Sequence, residues 1–309
     1  MALRRALACW AAAALLLAGC GGSDNGPSAG KAPARHTLTV ATGGKGGIYA
    51  VWGAAYARAI TKQLEGYRGV ATPTTGSVEN LERLRDGRAQ IALTLGDTAL
   101  DAVEGREAFD RPVALKALAQ IYPSYVQVVT RANSDIGTLE DLKGKRVSVG
   151  SPDSGTQVVA GRVLDVAKVG GFKRRQLGVE ESARALERGQ VDAFFWSGGV
   201  PTAAVADLSK RTPVALVDLL RYAPEMRRRW GGVYGGATVP AGTYGLDSPV
   251  STVTIPNYVV VSDRMDAALA HDLTSLLFSS GRVKDRERAQ DVIAEVGLHP
   301  GAQAYFSGG

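Results

Sequence analysis

Short apolar runs alternate with stretches of helical periodicity along most of the chain. Residues 37–41 (Thr-Leu-Thr-Val-Ala) alternate at the period of two that marks a strand, and Ile48, Trp52, Ala55, Ala59 and Leu64 follow at helical spacing. A strand is expected at 70–75, then a helix carrying Val78, Leu81 and Leu84 that ends at Gly87, then a buried strand at 90–95. A third helix runs from an Asp97 cap to Gly105, and 113–121 returns as a strand. Beyond an extended segment at 124–131, the pattern predicts a capped turn at 138–142, a strand at 146–149, helices at 156–168 and 180–188, and a strand at 191–196. A helix at 202–208 and a strand at 214–219 follow; residues 234–249, rich in glycine and proline, read as irregular. A second long extended segment, 252–262, precedes helices at 265–279 and 283–296.

This order repeats itself. Strand, glycine loop, helix, strand, helix, glycine, strand occurs once from Thr37 and again from Arg146, too loosely for a solenoid but as two α/β lobes of like construction would have it. Each lobe would be a mixed sheet flanked by helices, with helix N-termini aimed from the carboxyl edge into a shared crevice. The expected division is lobe 1 at 37–124 plus 262–309 and lobe 2 at 132–251, joined by a two-strand hinge of 125–131 and 252–261. Pro256 argues for an edge or crossover there, since proline cannot donate to a ladder.

Three loops carry the candidate chemistry. Gly150-Ser151-Pro152-Asp153-Ser154-Gly155-Thr156 leads from a strand into a helix, as do the run from Thr42 through Gly46 and Gly47 and the shorter Gly76-Ser77. The first backbone N–H groups of a helix have no intrahelical partner and carry partial positive charge, so such a loop is an anion seat. A capped helix start with no ligand has the same sequence, and Ser77 and Ser154 fit both readings. The first loop is not a nucleotide motif: the Lys-Ser or Lys-Thr pair of a Walker A loop is missing, and so is the spacing of a dinucleotide fingerprint. Its Lys45 either pairs with a second ligand carboxylate or faces solvent.

Charge and the N-terminus narrow the class. Of 309 residues, 45% are hydrophobic and 21% charged, and the net charge is a diffuse +6. The basic runs Lys173-Arg174-Arg175 and Arg227-Arg228-Arg229 lack interleaved aromatics, so no nucleic-acid partner is expected. Arg4 and Arg5 precede an apolar run at 6–17 that is too short to span a bilayer. Leu17-Ala18-Gly19-Cys20 then resembles the lipobox of bacterial lipoproteins. That predicts a signal peptide at 1–19, a lipid-bearing Cys20 at the start of the mature chain, and a Gly/Ser/Pro-rich tether at 20–36. With Cys9 in the removed segment, no disulfide is expected.

Catalysis has little to work with. His36, His271 and His299 are widely spread, with no carboxylate or cysteine at metal-ligand spacing, and no Gly-x-Ser-x-Gly elbow occurs. No enzyme, metal or cofactor is expected.

Six segments, taken in order, resemble one family: Thr42-Gly43-Gly44-Lys45-Gly46-Gly47-Ile48-Tyr49; Gly76-Ser77-Val78-Glu79-Asn80; Asp141 to Gly150 with Ser154-Gly155-Thr156; Asp192-Ala193-Phe194-Phe195 with Gly199-Val200-Pro201; Pro240 to Tyr244; and His299-Pro300-Gly301-Ala302. The resemblance is to the TAXI family, the solute-binding subunits of tripartite ATP-independent periplasmic (TRAP) transporters. It implies a two-lobed type II periplasmic-binding-protein fold on the extracytoplasmic face of the bacterial envelope; together with the lipobox, the expectation is a lipid-anchored monomer. The implied ligand is a small organic anion, an amino acid such as glutamate or a dicarboxylate, delivered to an ion-gradient-driven permease. It also implies ligand contacts from Thr42, Gly46, Gly47, Ile48 and Tyr49, from Gly76, Ser77 and Asn80, and from Ser154, Gly155, Thr156, Trp196, Gly199 and Val200. Thr156→Val is then expected to weaken ligand-driven closure with little effect on folding. Rival readings are a ligand-sensing module for a signalling partner and an enzyme built on the same fold.

Overall fold

Every residue from Ile91 to Leu95 is buried, as a strand covered on both faces requires. The computed structural model of the chain describes residues 36–281 and 283–308. The expected leader, the Cys20 lipidation site and all but the last residue of the tether lie outside the described residues.

The first part of the chain forms β1 (His36–Ala41), α1 (Ile48–Gln63), β2 (Tyr67–Thr72), α2 (Ser77–Arg85), β3 (Ile91–Leu95), α3 (Gly96–Glu104) and β4 (Leu115–Arg131). The middle forms β5 (Arg146–Ser148), α4 (Gly155–Val166), β6 (Lys173–Arg175), α5 (Val179–Glu187), β7 (Ala193–Gly198), α6 (Ala203–Ser209), β8 (Val214–Leu216), α7 (Ala223–Trp230) and β9 (Gly235–Val239). The chain returns through β10 (Val250–Ser262), α8 (Ala267–Ser279), α9 (Arg286–Ala289) and α10 (Pro300–Ser307).

The strands lie in the order β2-β1-β3-β10-β4-β7-β5-β6, with β8 on β4 and β9 on β10. Parallel trios stand at both ends, β2-β1-β3 and β7-β5-β6, and the long antiparallel pair β4 and β10 joins them. Side-chain alternation distributes each strand between two cores. In one half, Ile91, Leu93, Val259 and Val261 enter the core under α1 and α8, while Ala92, Tyr258 and Val260 enter the core under α2 and α3. In the other half, Phe195 packs on one side and Phe194 on the other, and burying each contributes roughly 1.5–3 kcal/mol.

β4 and β10 narrow the sheet at one level. Pro123 faces Pro256 in their ladder. On the flanks, β3 pairs β10 from Asn257 onward, β9 pairs it up to Thr254, and β7 pairs β4 from Tyr125 onward. At the two prolines the halves are joined by two strands alone.

The mixed α/β architecture with flanking helices is the expected one, and several elements differ from expectation. The segments read as 113–121 and 124–131 are one continuous strand, because Pro123 faces a second proline and its missing N–H breaks no bond with a neighbour. Asp97 is no cap: Leu95 occupies that position, and the carboxylate turns inward to Thr98 and Tyr234. Residues 235–239, read as irregular, form β9 against β10, where the cross-strand partner outweighs poor glycine propensity; a Cβ at Gly236 would strike Leu220. The expected helix at 283–296 shrinks to α9, because the backbone N–H of Ile293 donates to the Tyr258 hydroxyl at 3.4 Å instead of to a helical carbonyl. The motif at His299 opens α10, with proline in the first turn and the His299 imidazole accepting from the Gly301 N–H.

Candidate functional site

Four helices begin at one cavity. The residues preceding α1, α2, α4 and α5, namely Gly47, Gly76, Ser154 and Gly178, all line it. Only Ser154 caps its own helix, its Oγ accepting from the Gln157 N–H at 3.1 Å; the three glycine starts have no capping side chain. At α2 the Glu79 N–H donates to the Asp153 carbonyl at 3.2 Å, and the N–H groups of Ser77 and Val78, like the first ones of α1 and α5, have no acceptor among the described residues.

Glycine lets the helix ends approach. Gly76 has φ of 142°, outside the range of L residues, and a Cβ there would lie 3.2 Å from the Ser154 Cβ. A Cβ at Gly155 would lie 2.6 Å from the Ser77 Oγ. The starts of α2 and α4, from opposite halves of the sheet, are thereby in contact. Likewise the loop before α1 meets α5, where a Cβ on Gly46 would come within 3.3 Å of Glu180.

The cavity has a volume of about 60 Å³, room for a ligand with the bulk of a few water molecules. Hydroxyls and rings form its walls. Tyr49 donates to the Asn257 Oδ1 at 2.5 Å, and the Asn257 Nδ2 donates to the Tyr122 carbonyl and the Ser124 Oγ, both at 2.9 Å. Burial pushes the Tyr49 and Tyr122 phenols far above their ordinary range, so both are neutral. The Ser77 Oγ accepts from the Leu95 N–H at 3.1 Å, and the Thr156 Oγ1 from the Ser197 N–H at 3.2 Å. Trp196 places its ring on the wall and donates its indole N–H to Thr202 at 2.8 Å. Lys45 stands at the rim, largely exposed, its ammonium 3.5 Å from Glu180 across the cleft.

Of the residues singled out in the sequence, Gly47, Ile48, Tyr49, Gly76, Ser77, Ser154, Gly155, Thr156 and Trp196 line this cavity. Thr42, Gly46, Asn80, Gly199 and Val200 stand outside the lining. Thr42 bonds the Thr72 carbonyl. Asn80 is fully buried, donating to the carbonyls of Thr42 and Leu93 and accepting from Thr74. Gly199 makes space for Ile48, whose Cδ1 would lie 2.5 Å from a Cβ there.

The cavity also includes Ser151 of the third loop and Ser197 beside Trp196, together with Tyr122, Ser124 and the 177–179 turn, which the sequence reading passed over. Asn257 had a visible signal: an amide amid Ile255, Tyr258 and a valine run needs buried partners. None of the three histidines lines the cavity, and among the described residues no group of three or more His, Cys, Asp or Glu is placed to hold a metal ion. Among the same residues no helix is long and apolar enough to cross a membrane.

Solved structures share this architecture. A protein of Bordetella bronchiseptica RB50 matches with a TM-score of 0.55 at 17% identity, over 88% of this chain and 80% of that one. An ancestral arginine-binding protein, solved with arginine, matches at 0.50 and 18% identity, over 81% of this chain and 94% of that one. A protein of Xanthomonas citri, solved with chloride, matches at 0.50 and 11% identity, over 88% and 95%. These likenesses establish the fold as that of a type II periplasmic binding protein. The model of the NMT1-like family matches residues 40–307, nearly the whole of the described chain, and the chain belongs to that family.

Proposed function

We propose that the chain is an extracytoplasmic solute-binding lipoprotein that captures a small organic anion between two lobes and hands it to a membrane permease. The observation that carries this reading is the convergence of four helix N-termini on a cavity walled by hydroxyls and aromatic rings. Such a site binds and orients an anion; it holds no nucleophile and base pair with which to transform one.

Four termini at roughly 0.3–1 kcal/mol each fall short of the ~8 kcal/mol of micromolar binding. Hydroxyl donors and the faces of Tyr49, Tyr122 and Trp196 supply the rest. The reading takes the halves of the sheet as lobes, 37–124 with 262–309 and 132–251, and β4 with β10 as the hinge. The two-strand waist at Pro123 and Pro256 supports it. The site residues are the ten-odd groups facing the cavity, with Thr42, Asn80 and Gly199 acting behind them. The partner, from the resemblance to the TAXI family, is a TRAP permease driven by an ion gradient, and the anchor is lipid on Cys20.

Native mass spectrometry of the full chain purified in mild detergent is the test for a retained anion. Small-angle scattering with the organic acid that most raises the unfolding temperature should show compaction. An unchanged profile at saturation would remove hinge closure from the reading.

A further inference from the structure

Away from the cavity, two buried hydrogen bonds cross between the half of the sheet that carries α1 to α3 and the half that carries α4 to α7. Arg162 on α4 donates to the Asp101 carboxylate on α3 at 2.6 Å, and the Tyr234 hydroxyl, just before β9, donates to the Asp97 carboxylate at 2.8 Å. None of the four side chains is more than 4% exposed, and none lines the cavity.

Each side of this contact is set within its own half. Asp97 accepts from the Thr98 N–H at 2.7 Å, while Arg162 donates to Tyr234 at 2.9 Å and lies over the Trp230 ring, 5.2 Å from its centroid. The two surfaces are therefore arranged before they meet, which lowers the ordering cost of joining them. Next to the network the halves stand apart: a groove of about 530 Å³ separates Val78, Glu107 and Ala108 from Gly161, Arg229 and Trp230, with Arg162 in its wall. A small separation of the halves admits water from this groove to the ion pair, so both charges become solvated instead of one being left bare in the interior. The pair at the cavity rim is of another kind. Lys45 lies 3.5 Å from Glu180 with its side chain 86% exposed, where solvent screens the attraction.

We infer that Arg162 is the latch of lobe closure: a positioning residue that, with Tyr234, grips the Asp97 and Asp101 face of α3 and sets the closed population without touching the ligand. This rests on the two-lobed solute-binding reading above. Apparent affinity falls with the fraction of protein in the binding-competent form, so the latch tunes affinity for any ligand the cavity takes.

Neutron scattering of the ligand-free full chain in contrast-matched detergent is the test. Arg162→Met removes the cation and Tyr234→Phe a single hydroxyl; the second variant decides should the first not fold. Each should enlarge the radius of gyration, as about threefold more of the population opens. Asp192→Asn is the control. Its pair with Arg146, at 2.6 Å, lies within one half, so this variant should lower the unfolding temperature and leave the radius unchanged. An unchanged radius in the folded latch variants, or equal expansion in Asp192→Asn, overturns the latch. If ligand still compacts the wild type in the scattering proposed above, hinge closure stands without it; if neither change is seen, both readings fall.

Discussion

The guanidinium of Arg162 on α4 donates to the carboxylate of Asp101 on α3 at 2.6 Å, an ion pair buried between the two halves of the sheet. Its other terminal nitrogen donates to the Tyr234 hydroxyl at 2.9 Å, and that hydroxyl donates to Asp97 at 2.8 Å. One cation thus serves two buried carboxylates. Arg162→Met should destabilise the chain by about 3–5 kcal/mol, because it leaves charge buried without compensation. Urea unfolding followed by tryptophan fluorescence measures this; a loss below about 1 kcal/mol would mean that the network adds little.

The same pair makes stability depend on pH. Burial pushes the Asp101 carboxyl up to about 6, against the pull of Arg162, from an ordinary value of 3.8. A carboxyl whose folded pKa lies above its unfolded one binds its proton more tightly in the folded state. Its favourable contribution is therefore complete below pH ~4 and is lost as pH rises to about 6. Asp101→Asn should abolish that decline, so the stability difference between variant and wild type should change across this window and be flat above it. Unfolding free energies at half-unit pH steps decide; parallel curves would show that Asp101 does not titrate there.

Thr156→Val was expected from the sequence to spare folding. The structure revises that, because the Thr156 Oγ1 is the acceptor for the buried Ser197 N–H. The variant should lose about 1–3 kcal/mol of stability as well as ligand affinity. Thr156→Ser, which keeps the hydroxyl, should restore most of both. Thermal unfolding and titration of the two variants separate the contributions.

Asn80→Ala should cost about 1–3 kcal/mol for each of the groups it leaves unsatisfied, the carbonyls of Thr42 and Leu93 and the Thr74 hydroxyl. Affinity of the folded fraction should stay within about threefold of wild type, since Asn80 is outside the lining. A tenfold loss by calorimetry would return this side chain to the ligand set.

Local signals carried much of this architecture. Gly76, Ser154 and Gly155 were legible because a helix start and a close approach are both written in a few adjacent residues. Asn80 was misleading for the same reason: an amide three positions after Ser77 has the pattern of a loop contact whether it faces ligand or carbonyls. Tyr122 and Ser124 could not be read locally, and the setting of Asn257 showed only that its amide needs buried partners, not which ones. They meet where two strands 133 and 135 positions apart cross, and only the register of β4 on β10 brings them together. The 283–296 segment failed differently, since helical periodicity in the sequence yielded to a bond between Ile293 and Tyr258.

The facing prolines at the waist have a mechanical meaning. Neither Pro123 nor Pro256 has an amide proton, so bending at that level ruptures no backbone bond donated by either residue. The fold's compliance is thereby concentrated in one narrow band, while Tyr122, Ser124 and Asn257 beside it belong to the cavity and its support. If the band is the hinge we propose, a bend in it shifts the side chains that line the cavity, which would tie occupancy to shape without a separate relay.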